Sequence, residues 1–114
     1  MSADGTVDWV DVAAVADLDA GAPVLGQLGP EPIVLVQARD GKIRALGAVC
    51  SHAGGPLEKG RVVDHNGEDC LQCPWHASLF RLIDGSVVRG PASSQQPVYD
   101  VRTVADRLQV RRRG

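Results

Sequence analysis

Two short segments, Cys50-Ser51-His52 and Cys73-Pro74-Trp75-His76, each set one thiol and one imidazole within a few residues of each other. Strand signals flank both. Gly47-Ala48-Val49 leads into the first segment, and Cys70-Leu71-Gln72 feeds the second. Gly60-Arg61-Val62-Val63 and the run from Ser78 to Ile83 read as the strands that follow. Two strand–loop–strand units laid side by side would bring four donors from two loop tips to one place. The fold must therefore be one that can present two such tips together.

The rest of the chain has the same grain. Val24 to Leu28 is a candidate strand. Gly29-Pro30-Glu31-Pro32 reads as a turn, because two prolines serve a central ladder poorly. Ile33-Val34-Leu35-Val36 is the strongest core strand, and Asp40-Gly41 is a hairpin signal returning through Lys42 to Leu46. Asp64 to Asp69 reads as an exposed turn around Asn66-Gly67, and Asp84-Gly85 turns back to Val87-Val88. Gly90-Pro91 begins a polar loop that runs to Gln96. Val98 to Val101 and Leu108 to Val110 are the last strands, with a turn near Ala105-Asp106. Asp11 to Leu18 reads as a loop with room for one helical turn. Roughly nine or ten short strands at this spacing predict an antiparallel sandwich or small barrel.

Composition bounds the rest. A chain of 114 residues, 44% of them apolar, supports one compact domain. Trp9, Trp75, Phe80 and Tyr99 are its only aromatics, so the core is aliphatic and a bound metal centre would be a useful staple. A net charge of -2 excludes strong electrostatic grounds for a nucleic-acid partner. Asp4, Asp8, Asp11, Asp17 and Asp19 gather at one end, and Arg102, Arg107, Arg111, Arg112 and Arg113 at the other. The plain reading is two termini that adjoin; a charged docking face is the alternative. Three cysteines do not close a disulfide framework. With neither a secretory leader at Met1–Gly5 nor an apolar run near the ~20 residues that span a bilayer, the expected location is the cytoplasm, with a membrane relevant only if this is part of a larger chain.

Thiolate and imidazole are donors for zinc, copper or iron–sulfur centres. Two of each make one tetrahedral zinc site, or a [2Fe–2S] centre whose irons take two protein ligands apiece. Zinc fingers put both cysteines in one knuckle and both histidines in the other. Here each loop carries one of each, which favours the two-iron centre and leaves zinc as the rival.

From about Trp9 to Val110 the chain resembles a Rieske domain. Cys50-Ser51-His52-Ala53-Gly54-Gly55-Pro56-Leu57 is similar to the family's Cys-x-His-x-Gly-x-Pro-Leu box. Cys73-Pro74-Trp75-His76-Ala77-Ser78-Leu79-Phe80 is similar to its Cys-Pro-x-His-x-x-x-Phe box, and Gly90-Pro91 to the proline loop that covers the cluster from a third side. The resemblance implies an all-β Rieske-like antiparallel sandwich of three small sheets. It implies a single domain over 1–114, with a cluster-binding subdomain formed by two loops at about 47–91. One [2Fe–2S] cluster per chain is implied, with Cys50 and Cys73 on the buried iron and His52 and His76 on the outer one.

Three departures from the family matter. Gly55 and Trp75 stand where respiratory members carry a disulfide. Phe80 stands where they carry a tyrosine that donates to a ligand cysteine, while Ser78 matches a serine that donates to a bridging sulfide. Fewer donors place the potential toward the lower end of the Rieske range of roughly -150 to +300 mV. The segment between His52 and Cys73 is a few residues long for the family, an excess that the Asp64–Asp69 turn would absorb.

The implied function is one-electron transfer by a ferredoxin-like carrier, an oxidoreductase component and not a catalyst by itself. Its partners would be a flavin reductase and a terminal oxygenase or other acceptor. The rivals are the redox domain of a larger membrane-attached protein, and a non-redox Rieske-like module holding zinc or nothing. Cys70 forms a Cys-x-x-Cys pair with Cys73 but reads as a buried thiol, and His65 reads as a loop residue. Trp75 either packs on Pro91 and shields the cluster or presents its face to a partner.

Overall fold

Ile33, Val34, Leu35 and Val36 are all fully buried because the strand that carries them has a core on each face. Val34 and Val36 pack with Leu46, Leu57, Leu71 and Phe80. Ile33 and Leu35 pack with Leu28, Ala45, Tyr99, Leu108 and Val110 on the other side. A strand buried on both faces reads as a continuous apolar run, where a half-buried one alternates. Each such side chain contributes about 1.5–3 kcal/mol by leaving water.

A computed structural model describes residues 9–18, 22–51, 54–92 and 94–113. Its ten strands are β1 (Val10–Ala14), β2 (Val24–Leu28), β3 (Glu31–Gln37), β4 (Ile43–Gly47), β5 (Arg61–His65), β6 (Glu68–Gln72), β7 (Leu79–Arg81), β8 (Val87–Arg89), β9 (Val98–Val104) and β10 (Arg107–Arg112). Every pairing is antiparallel, as the turn spacing predicts. Among the described residues the hydrogen-bonded order is β1-β10-β9-β4-β3-β2 in one sheet and β5-β6-β7-β8 in the other. The expected three small sheets are recognisable within these two. β4 meets β9 at only two residue pairs, Ala45↔Tyr99 and Leu46↔Val98, and that short ladder fuses two three-stranded sheets into one.

Three local readings change. Val10–Ala14, read as the edge of a loop, is a strand, because β10 offers it a ladder and Arg107 faces Asp11 at 2.7 Å. The helical turn follows as a 3₁₀ turn at Val15–Asp17. Pro32 lies inside β3, opposite Gln27 of β2, and its carbonyl accepts from the Ala48 N–H at 3.0 Å. It serves the ladder as an acceptor where it has no donor to give. The turn at 64–69 is tighter than expected. Asn66 and Gly67 alone form it, both at positive φ (53° and 87°), and the residues on either side are ladder pairs of β5 and β6.

The acidic and basic ends do adjoin where they are described. β1 lies on β10, Asp11 pairs with Arg107, and Asp100 receives both Arg111 and Arg113. Arg102 and Arg111 also hold their guanidinium groups 4.4 and 4.5 Å from the Trp9 ring centroid. Asp4, Asp8 and Asp19 lie outside the described residues. The two sheets are tied by Arg39, in the β3–β4 turn. Its guanidinium binds Asp69 of β6 and reaches Asp64 of β5 at 2.7 Å, and its N–H donates to Asp69 at 2.7 Å.

Candidate metal centre

The two Cys/His segments are closed by the same pair of backbone bonds. In the first, the Cys50 N–H donates to the Gly55 carbonyl and the Gly54 N–H to the Cys50 carbonyl, both at 2.9 Å. In the second, the Cys73 N–H donates to the Ser78 carbonyl at 2.9 Å and the Ala77 N–H to the Cys73 carbonyl at 3.1 Å. The fifth residue of each is left-handed: Gly54 has φ 76° and Ala77 φ 63°. Each turn thus begins with its cysteine at the base, and the second carries His76 outward. Cys50 and Cys73 are 4% and 3% exposed, and both belong to the apolar cluster of Val34, Val36, Leu71 and Phe80. His76 is exposed, and His52 lies outside the described residues.

The turns touch. A Cβ on Gly55 would stand 2.7 Å from the Cys73 sulfur and 3.3 Å from the Trp75 ring. Trp75 therefore lies over Gly55 with 56% of its surface open to solvent. Phe80, on β7, is fully buried beneath. Ser78 is buried, and its hydroxyl oxygen accepts from the Ala92 N–H at 3.0 Å. That bond engages the oxygen and leaves the hydroxyl proton to donate elsewhere.

The donor set fits a two-iron centre. Thiolates buried among aliphatic side chains, as Cys50 and Cys73 would be, are costly unless a cation lies beside them, and a bound two-iron centre would supply it. Among the described residues no three His, Cys, Asp or Glu side chains converge on one point. A centre that divides its protein ligands between two irons does not require them to.

Cys70 stands apart. It is fully buried in β6, and burial, with Glu68 nearby, pushes its thiol above the usual range. It is outside the apolar cluster that holds Cys73, consistent with an inert thiol. His65 is in β5, whose chain runs away from the two Cys/His turns to the Asn66-Gly67 tip. A surface hollow of about 450 Å³ lies at the Arg39 turn, lined by Arg44, Glu68, Arg81 and Ile83, and takes no residue from either ligand turn.

A third segment braces the first turn. The Ser51 hydroxyl donates to the Ser94 carbonyl, and the Gln96 side chain, 1% exposed, bonds the chain from Gly47 to Ser51. Neither serine nor glutamine stands out in the polar run Ser93-Ser94-Gln95-Gln96. Pro91, at the head of this segment, is exposed after a cis Gly90–Pro91 bond.

An all-β scaffold carrying two Cys/His turns at adjacent loop tips is the architecture of an iron–sulfur electron carrier. The sequence pattern of the Rieske [2Fe-2S] domain matches residues 8–103, and the chain belongs to that family. It is 26% identical over 103 residues to the anthranilate 1,2-dioxygenase ferredoxin subunit of Burkholderia cepacia, covering 90% of this chain and 91% of that one. The crystal structure described as an NADH-dependent nitrite reductase small subunit from Mycobacterium tuberculosis superposes with a TM-score of 0.85 at 29% identity, over 96% of this chain and 98% of that one. The ferredoxin of carbazole 1,9a-dioxygenase from Nocardioides aromaticivorans IC177 gives 0.80 at 25% identity, over 92% and 98%. Human apoptosis-inducing factor 3 is 32% identical over 106 residues, but the chain spans only 17% of that protein. The protein is thus a Rieske electron carrier with one [2Fe–2S] cluster, and it exchanges electrons with protein redox partners. Among the described residues no helix is long and apolar enough to cross a membrane.

Proposed function

We propose that Cys50, His52, Cys73 and His76 hold the cluster, within a single Rieske domain over 1–114 whose cluster-binding part is about 47–91. The observation that carries this is the twin turn: two loops closed by the same pair of bonds, each with its cysteine at the buried base. When bound, the cluster supplies a one-electron couple. The residues around it do the rest. Cys50 and Cys73 anchor it in the apolar floor, which excludes water. His76 faces solvent and marks the edge where electrons enter and leave. Val49 (55% exposed), Trp75 and Pro91 are exposed and uncharged, and on this reading they take part in docking a redox partner.

The partners we infer are a flavin reductase on one side and a terminal oxygenase or similar acceptor on the other, in the cytoplasm; the oxygenase side is supported by the Burkholderia relative, which is named as a dioxygenase ferredoxin subunit. The potential belongs at the lower end of the Rieske range: Phe80 offers no hydroxyl, and Ser78 is the one side-chain hydroxyl positioned at the second turn. The test is a pair of substitutions. His76→Cys should change the visible spectrum and lower the potential, because a thiolate in place of a neutral imidazole on that iron would add negative charge. His65→Ala should change neither. Equal effects of the two would contradict the assignment.

A further inference from the structure

Among the described residues only Ser78 and Gln96 are polar and buried. Ser78 lies within the second Cys/His box, whereas Gln96 lies outside both boxes. Every polar atom of the Gln96 side chain is spent on one stretch of backbone. Its Nε2 donates to the Gly47 carbonyl at 3.0 Å and to the Val49 carbonyl at 2.9 Å. Its Oε1 accepts from the Ser51 N–H at 2.7 Å. The bonded stretch runs from the end of β4 to the residue between Cys50 and His52.

The Gln96 backbone is fixed as firmly. Its N–H donates to the Gly85 carbonyl at 2.8 Å, and a Cβ on Gly85 would stand 2.1 Å from the Gln96 carbonyl oxygen. Gly85 lies in the β7–β8 turn, and β7 is the strand that leaves the second ligand turn. Gln96 therefore connects the support of the second turn to the interior of the first. A carboxamide suits this because the stretch takes two donated bonds and gives one: an ionised Glu has no donor, and Leu has neither donor nor acceptor.

We infer that Gln96 is a positioning residue for the first ligand turn. It sets the pitch of the chain between Cys50 and His52. It also engages the Ser51 N–H, withholding that donor from the cluster sulfurs, whose hydrogen bonds help set the potential. This rests on the proposed ligand assignment of Cys50 and His52.

The test compares Gln96→Leu and Gln96→Glu with Gln95→Leu, an exposed neighbour, in the cluster-loaded protein. Hydrogen exchange at the Ser51 amide, the midpoint potential and the electron paramagnetic g-values are read for each. In the wild type the Ser51 amide should be protected. Gln96→Leu should speed its exchange by at least about tenfold, the loss of one buried bond, and should move the potential upward. Gln96→Glu keeps the acceptor, so Ser51 should stay protected while thermal stability falls. Gln95→Leu should change none of these.

A Ser51 amide that exchanges like an open one in the wild type would overturn the inference, whether or not Gln96→Leu folds. So would a Gln96→Leu protein whose Ser51 amide is released while potential and g-values stay put, since the contact would then be structural only. The ligand assignment fails by a different sign: a wild-type protein without a Rieske signal, whatever Ser51 does.

Discussion

Gly54 and Ala77 occupy the same place in two turns closed by the same pair of bonds. Each donates its N–H to the carbonyl of the cysteine four residues before it, and each has a left-handed backbone, φ 76° and 63°. Glycine adopts that region freely, whereas alanine does so at a cost of about 1–2 kcal/mol, partly offset because glycine loses more entropy on folding. The second turn therefore carries strain that the first does not. Ala77→Gly should raise stability by about 0.5–1 kcal/mol, and Gly54→Ala should lower it by a similar amount. At Gly54 the new Cβ would meet only Val49, at an ordinary 3.9 Å, so the penalty is conformational. Denaturant unfolding of the two variants checks this, and a less stable Ala77→Gly protein would contradict it.

Gly55 should not tolerate even a methyl group. Its Cβ would fall 2.7 Å from the Cys73 sulfur and 3.3 Å from Trp75, so that sulfur or the indole must move. Gly55→Ala is expected to cost about 1–3 kcal/mol, as overpacked sites do. It should also reduce iron per chain. Iron content and unfolding measured on the same preparation test both parts; full loading at unchanged stability would show that the two turns are less tightly apposed than described.

The Arg39 clamp predicts a pH dependence. Burial pushes the Asp69 carboxyl up, but the N–H and guanidinium of Arg39 outweigh this and hold it below the ordinary carboxylate value. A group lowered in the folded state stabilises above its unfolded pKa, near ~3.9, and that stabilisation is lost as pH falls through the folded value. Asp69 is only 14% exposed but its partner is open to solvent, so the effect is discounted to about 1 kcal/mol. Asp69→Asn should therefore be less stable than wild type at neutral pH, and the gap should close on acidification toward pH ~3. A gap that stays constant across that range would remove the clamp from the account.

Much of this was legible in the sequence because it is local. Asp40-Gly41 and Asn66-Gly67 announce hairpins by their own backbone preferences, and the two Cys/His segments carry their ligand chemistry with them. What was hidden depends on partners distant in the chain. Val10–Ala14 becomes a strand only because β10 arrives beside it. Pro32 is admissible in β3 because the Ala48 carbonyl, which a proline cannot serve, takes its N–H from Leu57 instead. The two-pair ladder between β4 and β9 is a matter of tertiary fit. Gln95 and Gln96 are chemically identical neighbours, and nothing local tells which one turns inward. The likeness of the two ligand turns was also concealed, since one has Gly-Gly where the other has Ala-Ser.

The central claim is that this fold carries a two-iron centre ligated by two cysteines and two histidines. Electron paramagnetic resonance of the purified protein after reduction, with iron and acid-labile sulfide assayed on the same sample, tests it most directly. The account predicts a red-brown protein containing iron and sulfide that gives a Rieske-type signal once reduced. A colourless protein holding stoichiometric zinc, silent after reduction, would contradict it.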